Sequence, residues 1–268
     1  MSLTPPDPRA MAVCRILLGC AFVMDALEAS GILLRIEQGR LAVPGPLPLP
    51  ITDTTIQAWT LLSVIAGAMV FAGVVTEAAA AAAAALAVLA LAWDQQVYSS
   101  HLWLTTLLLT YLVFSKSDSR WSVRAALLGR RDAVPAWPAL LMVTQLSVCY
   151  FFAGLSKLNP WWLAGDELRP TVRLDLPGAG FTVLAALVIA TEVFIATGMW
   201  FRRTRLLAIG TGVLLHASIV ALMYKPLTLV AFTFACLAVY PLMVSAPFVR
   251  SRDRDARRAA DARDAVLR

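Results

Sequence analysis

Charge is what this chain has least of. Of its 268 residues, 15% are Asp, Glu, Lys or Arg and 59% are hydrophobic, with a mean hydropathy of +0.73. A water-soluble domain carries about 25% charged residues, so that class is excluded. Histidine is nearly missing: the two present are His101 and His216. Two histidines and scattered carboxylates give no warrant for a metal site. The four cysteines (Cys14, Cys20, Cys149 and Cys236) sit inside apolar runs and form no C-x-x-C pair, so neither a zinc site nor a disulfide framework is expected. No basic face interleaves with aromatics, which removes nucleic acid from the expected partners. The N-terminal MSLTPPDPRA is polar and proline-rich and lacks the form of a cleavable signal peptide, so the first apolar run is expected to stay as a spanning helix.

Long apolar runs are what the chain does have. They fall at about residues 11–34, 56–75, from Glu77 through an alanine tract to 93, then 97–114, 136–158, 180–201, 206–223 and 227–249. Runs of this length cross a hydrocarbon core. The sequence therefore predicts an all-α, polytopic integral membrane protein with about eight transmembrane helices in a lipid bilayer. Residues 1–10 form a polar N-terminal segment, 11–249 the transmembrane domain and 250–268 a basic tail of alternating Arg and Asp. Prolines at 44, 46, 48 and 50 predict a stiff, non-helical loop. The alanine tract at 78–85 predicts close helix packing. Arginine and lysine concentrate in loops 115–131 and 202–205 and in the tail, all on one side of an eight-span chain. The positive-inside rule then predicts a cell-membrane protein with both termini cytoplasmic. His101, Lys157 and His216 fall in the opposite, outer half.

The polar residues inside the spans are few enough to weigh singly. Arg15 lies one turn into the first span and is expected to snorkel to the near surface. Asp25 and Glu28, at i and i+3, share a face that points inward or emerges on the far side. Glu192 has apolar sequence on both sides; it must pair, for example with His216 or Arg15, or carry a proton. Two readings fit His101 (an interfacial residue opening span four, or a working group) and two fit His216 (an interhelical hydrogen bond, or a working group). Lys157 is the only lysine between Lys116 and Lys225 and ends an apolar helix just before an Asn159-Pro160 break. It either snorkels outward, with Trp161 and Trp162 as interfacial belt residues, or faces a cavity as a base. Tyr150, Ala153, Gly154 and Lys157 share one helix face, and the small residues leave room for a neighbouring helix or a flat ring. One polar cavity opening outward would account for His101, Lys157, Glu192 and His216 together.

The pattern Gln145-x4-Tyr150-Phe151-x-Ala153-Gly154-x2-Lys157-Leu158-x3-Trp162-x2-Gly165 resembles the vitamin K-dependent γ-glutamyl carboxylase family and the bacterial HTTM group related to it. Arg15-x3-Gly19-x5-Asp25, Asp94-x6-His101, Phe114, Trp121-Ser122-Val123, Glu192-x12-Arg205 and His216 extend the likeness over roughly residues 11–245. The resemblance implies a membrane enzyme in which Lys157 is the base, with His101, Glu192 and His216 lining the site and Tyr150, Ala153, Gly154 and Trp162 holding the cofactor. That cofactor would be a reduced quinone of the vitamin K or menaquinol type. It reacts with O2 and ends as an epoxide, and the strong base so formed acts on an acceptor; carboxylation of a peptide or protein glutamate with CO2 is the family's use of it. Two departures stand out. Where the family has a histidine just before its Trp-Ser-Val turn, this chain has Ser119. The chain also ends after span eight, where the animal enzyme continues into a large lumenal domain, so a smaller relative is expected. The alternative is a non-catalytic membrane accessory protein for peptide maturation, export or partner binding.

Overall fold

The computed structural model describes residues 4–47, 49–131, 133–224 and 226–245, with the side chains of 226–228 left aside. Its described residues are helical, with no strand beyond two isolated bridges. The helices are α1 (Pro8–Glu37), α2 (Asp53–Ala72), α3 (Thr76–Trp93), α4 (Ser100–Leu112), the short α5 (Val123–Leu128), α6 (Ala136–Ser156), the single-turn α7 (Pro160–Leu163), α8 (Gly178–Gly198), α9 (Arg205–Leu222) and α10 (Pro226–Ser245). Six of them (α1, α2, α3, α6, α8 and α9) are long and apolar enough to cross a membrane. The 13-residue α4 and the apolar stretch Leu229–Ser245 of α10 stand at the two remaining expected crossings. The tail, residues 250–268, lies outside the described residues.

α1 is the central post. It starts where Asp7 accepts a hydrogen bond from the Arg9 amide ahead of Pro8, a cap that suits proline at the first helical position. Its 30 residues give a rod of about 45 Å, longer than the hydrocarbon core. Met11, Cys14, Leu18, Phe22 and Leu33 are fully buried at helical spacing, and α2, α4 and α10 pack around them. The approach to α2 is close because two glycines meet: a side chain on Gly19 would press on the α2 backbone at Gly67 and Phe71.

α2 and α3 form a hairpin. Thr52 and Thr55 cap the start of α2 reciprocally, and Gly73, with φ of +71°, ends it in the left-handed conformation. The alanine tract packs as its small residues predict: Ala79, Ala80, Ala83, Ala87 and Ala90 are buried, and Trp59 of α2 donates to the Leu86 carbonyl at 3.0 Å. The proline-rich loop is non-helical as expected and is pinned to the end of α3. Gly45 and Leu47 donate to the Trp93 and Ala92 carbonyls, each at 3.0 Å, and the Asp94 carboxylate accepts from the Val43 amide at 2.9 Å. A side chain at Gly45 would strike the Ala92 carbonyl, which is why glycine stands there.

Arg15 departs from its expected snorkelling. It is fully buried, and its guanidinium donates to the Trp121 carbonyl at 2.6 Å and the Ser117 carbonyl at 3.5 Å. The loop after α4 folds back over the start of α1, so Arg15 finds backbone acceptors inside the fold. This also fixes the alternation of the chain: the start of α1 meets the end of α4. The start of α4 then lies beside the far part of α1, and α6 runs from the basic loop towards that same far end.

Candidate functional site

The motif around Lys157 is a docking device between α6 and α8. Lys157 is the C-cap of α6, and its side chain folds back along the helix so that Nζ donates to the Ala153 carbonyl at 3.0 Å. The other two acceptors are the carboxylate oxygens of Glu192 on α8, at 2.9 and 2.8 Å. All three ammonium hydrogens thus have partners. Asn159 caps α7 through the Trp162 amide at 2.9 Å, which swings the Trp162 ring beneath the lysine with Nζ 5.2 Å from its centroid. The indole N–H reaches back to the Ala185 carbonyl of α8 at 3.3 Å. Gly165, with φ of +79°, lets the chain turn against Phe181, where any side chain would collide. Gly154 admits α8: an added Cβ would sit 3.0 Å from Val193 Cγ2 and 3.5 Å from Ile189 O. The room beside Ala153 and Gly154 at that level is therefore taken by a helix.

Glu192 pairs with Lys157, which corrects the expectation of Arg15 or His216 as its partner. Arg15 is engaged with the loop after α4, and His216 sits in a network of its own. The pair is neither open nor sealed, with side-chain exposures of 20% for Lys157 and 12% for Glu192.

His216 lies on α9, whose buried residues reduce to one narrow stripe, Ala208, Gly212 and His216, at i+4 spacing. Its Nε2 is 2.6 Å from the Tyr150 hydroxyl, which is 2.7 Å from the Tyr240 hydroxyl of α10. Its Nδ1 is 3.4 Å from Thr233 Oγ1, which donates to the Leu229 carbonyl. One set of directions satisfies every member with a neutral ring: Tyr240 donates to Tyr150, Tyr150 to Nε2, and Nδ1–H to Thr233. Gly212 makes room for the Tyr240 hydroxyl. Tyr150 is thus held by hydrogen bonds in this network, two helical turns before Lys157. Sequence reasoning missed Tyr240 and Thr233, since a tyrosine and a threonine in an apolar helix carry no spacing signal.

His101 opens α4 as expected, and its Nε2 meets Glu28 Oε2 of α1 at 3.0 Å and Asp25 Oδ1 at 3.8 Å. The shared inward face of Asp25 and Glu28 is the signal that pointed to this group, although its histidine lies 73 residues away from Glu28. The four candidate residues His101, Lys157, Glu192 and His216 are thus distributed over three groups on different helix combinations: α1 with α4, α6 with α8, and α6 with α9 and α10. Cavities open elsewhere among the described residues. One of about 430 Å³ is lined by Arg9, Arg120, Trp121, Ser122 and Arg130 at the basic end. Another, about 420 Å³, is an open apolar groove between α6 and α8, lined by Thr144, Val148, Phe151, Ala196 and Trp200.

No solved structure matches this fold. The HTTM domain, which is found in vitamin K-dependent carboxylase-like proteins, matches residues 3–247. With every described residue inside that match, this polytopic helical chain belongs to the HTTM domain family.

Proposed function

We propose that this protein is a membrane-embedded enzyme that takes a proton from a lipid-soluble quinol at the Lys157–Glu192 pair. The observation that carries the proposal is the pair itself: an ammonium and a carboxylate 2.8 Å apart between two apolar helices, against the face of Trp162. Charged residues among membrane helices are costly, and function is the usual reason they persist. The residues present fit a quinol. Trp162 offers a flat wall beside the charges, and the apolar groove along the same two helices suits an isoprenoid tail. A reduced quinone, when bound, supplies with O2 the oxidation that ends in an epoxide.

The chain's own part is acid–base work. Glu192 is within reach to take a proton from Lys157, which frees an amine to accept the hydroxyl proton. In the other order, Glu192 accepts that proton directly and the Lys157 ammonium faces the oxyanion. Both orders leave the substrate proton on the pair. The Ala153 carbonyl and Trp162 hold Lys157 in place while its charge changes. The acceptor for the resulting base is a small molecule or peptide, with carboxylation by CO2 the family precedent. His101 and His216 belong to the other two groups and are not parts of the pair. In this reading the basic loops face the cytoplasm of a cell membrane, and Lys157 faces outward.

A photoreactive menaquinone analogue tests the site. Labelling is expected to map to residues 150–165 and 185–200 and to be displaced by unlabelled menaquinol. Labelling spread over all lipid-facing helices and insensitive to competition would support the accessory-protein reading instead, which the close fit of α8 at Gly154 favours.

A further inference from the structure

Asp25, Glu28 and His101 form a cluster that the Lys157–Glu192 reading does not use. One ligand-type atom from each lies within 4.8 Å of the others. The Asp25 side chain has no exposed surface, that of His101 is 12% exposed and that of Glu28 27%. Both carboxylate oxygens of Asp25 are buried and outside strict hydrogen-bond geometry, and the polar groups that face them are Thr105 Oγ1, one turn along α4 from His101 on the same face, and the His101 ring at 3.8 Å. Buried carboxylates in folded proteins almost always have partners, because a bare one is costly in an apolar interior. A single imidazolium shared with Glu28 cannot neutralise two carboxylates. With both carboxylates ionised, the cluster is one positive charge short.

We propose that Asp25, Glu28 and His101 bind a divalent transition-metal cation of the Mn2+, Fe2+ or Zn2+ class between α1 and α4. Three donors around an ion at roughly 2.1 Å would stand about 3.0–3.4 Å apart. The His101 Nε2 distances of 3.0 Å to Glu28 and 3.8 Å to Asp25 bracket that spacing before any ion draws them in. Two carboxylate oxygens and one imidazole nitrogen suit these borderline ions. Soft-metal selection would need thiolate, and no cysteine belongs to the cluster. Calcium would want six to eight oxygens, more than α1 and α4 supply here. The helices give the site its rigidity: Asp25 and Glu28 are one turn apart on α1, and His101 is fixed two residues after the Ser99 cap of α4. Three protein ligands leave coordination positions open to water or to a substrate. A +2 ion would also tie the outer part of α1 to α4.

The test uses the full chain purified in detergent, stripped with EDTA and dialysed against Mn2+ or Zn2+. Metal per chain, the Mn2+ EPR signal of the bound ion and the thermal melting curve are read. Wild type is expected to bind about one ion per chain and to melt at a higher temperature with it. His101→Ala and Asp25→Asn should weaken binding by on the order of 100-fold or more, and Glu28→Gln should weaken it while leaving the helix face intact. Without metal, Asp25→Asn should melt no lower than wild type, because it replaces a fully buried carboxyl group with a neutral amide of the same shape. Wild type that binds no ion under these conditions, or binds it equally well with Asp25 and His101 replaced, overturns the proposal whatever the variants do to folding. This outcome is independent of quinol turnover, so the cation site and the Lys157 site stand or fall separately.

Discussion

Lys157→Met is expected to lower the stability of the bundle by about 3 kcal/mol, and Lys157→Met combined with Glu192→Leu is expected to restore most of the loss. Removing one partner of a buried ion pair leaves the other charge without compensation, a change that costs about 3–5 kcal/mol when burial is complete. The lower end applies because the lysine keeps 20% exposure. Replacing both partners by apolar side chains removes two desolvated charges together and leaves α6 and α8 with an ordinary apolar contact. In a protein of this length the single change corresponds to a melting shift of about 6–12 °C, readable in detergent. The comparison separates two reasons for the pair to exist. If the double replacement is stable and inactive, the pair serves chemistry. A double replacement as unstable as the single one would make the pair a structural clamp.

Gly19→Leu is expected to have the largest effect of any single substitution on the packing of α1. A Cβ at this position would sit 2.7 Å from the Phe71 amide nitrogen and 2.9 Å from the Gly67 carbonyl oxygen, both backbone atoms of α2. Backbone cannot rotate away as a side chain can, so the helices must separate along their contact. Overpacking typically costs about 1–3 kcal/mol, and a four-carbon side chain against backbone belongs at or above the upper end. Gly67→Ala should be milder, since the nearest atom to its Cβ, at 2.6 Å, belongs to the Val23 side chain. Gly210→Ala is the control: nothing lies within 4 Å of its Cβ, and the gain in helix propensity of roughly 0.8–1 kcal/mol should make it neutral or stabilising. Folded yield by size exclusion in detergent and the melting temperature would order the three. Gly19→Leu folding as well as Gly210→Ala would show that α1 and α2 do not meet as described.

The helices were legible because apolar runs and their breakers are local signals. The Asn159-Pro160 break and the proline loop stand at the expected places, and α4 opens at Ser100, three residues after the expected start at 97. Lys157 was legible as an anomaly for the same reason, one charge in an apolar run. Its partner was not. Glu192 lies 35 residues away on α8, and the sequence carries no mark that selects Lys157 over Arg15 or His216. What decides it is that Gly154 lets α8 come close enough for the carboxylate to reach Nζ. The histidines show the same limit. Each was expected in the outer half of the bundle, but the choice of Tyr150 and Tyr240 for one and Glu28 for the other is a matter of helix packing. Arg15 was misjudged because its acceptors are backbone carbonyls of a loop 102 and 106 residues further on, which side-chain types cannot reveal.

The most direct test is turnover. The protein in detergent, supplied with reduced menaquinone and O2, would be assayed by mass spectrometry for the quinone epoxide, alongside Lys157→Met and the stable Lys157→Met, Glu192→Leu protein. A proton-transfer role predicts epoxide from wild type and a loss of about 10²–10⁴-fold in both variants, including the one whose fold is restored. Epoxide formation at the wild-type rate without Lys157 and Glu192, or none from a wild-type protein that the photoreactive quinone labels at α6 and α8, would contradict the assignment of the pair as the working site.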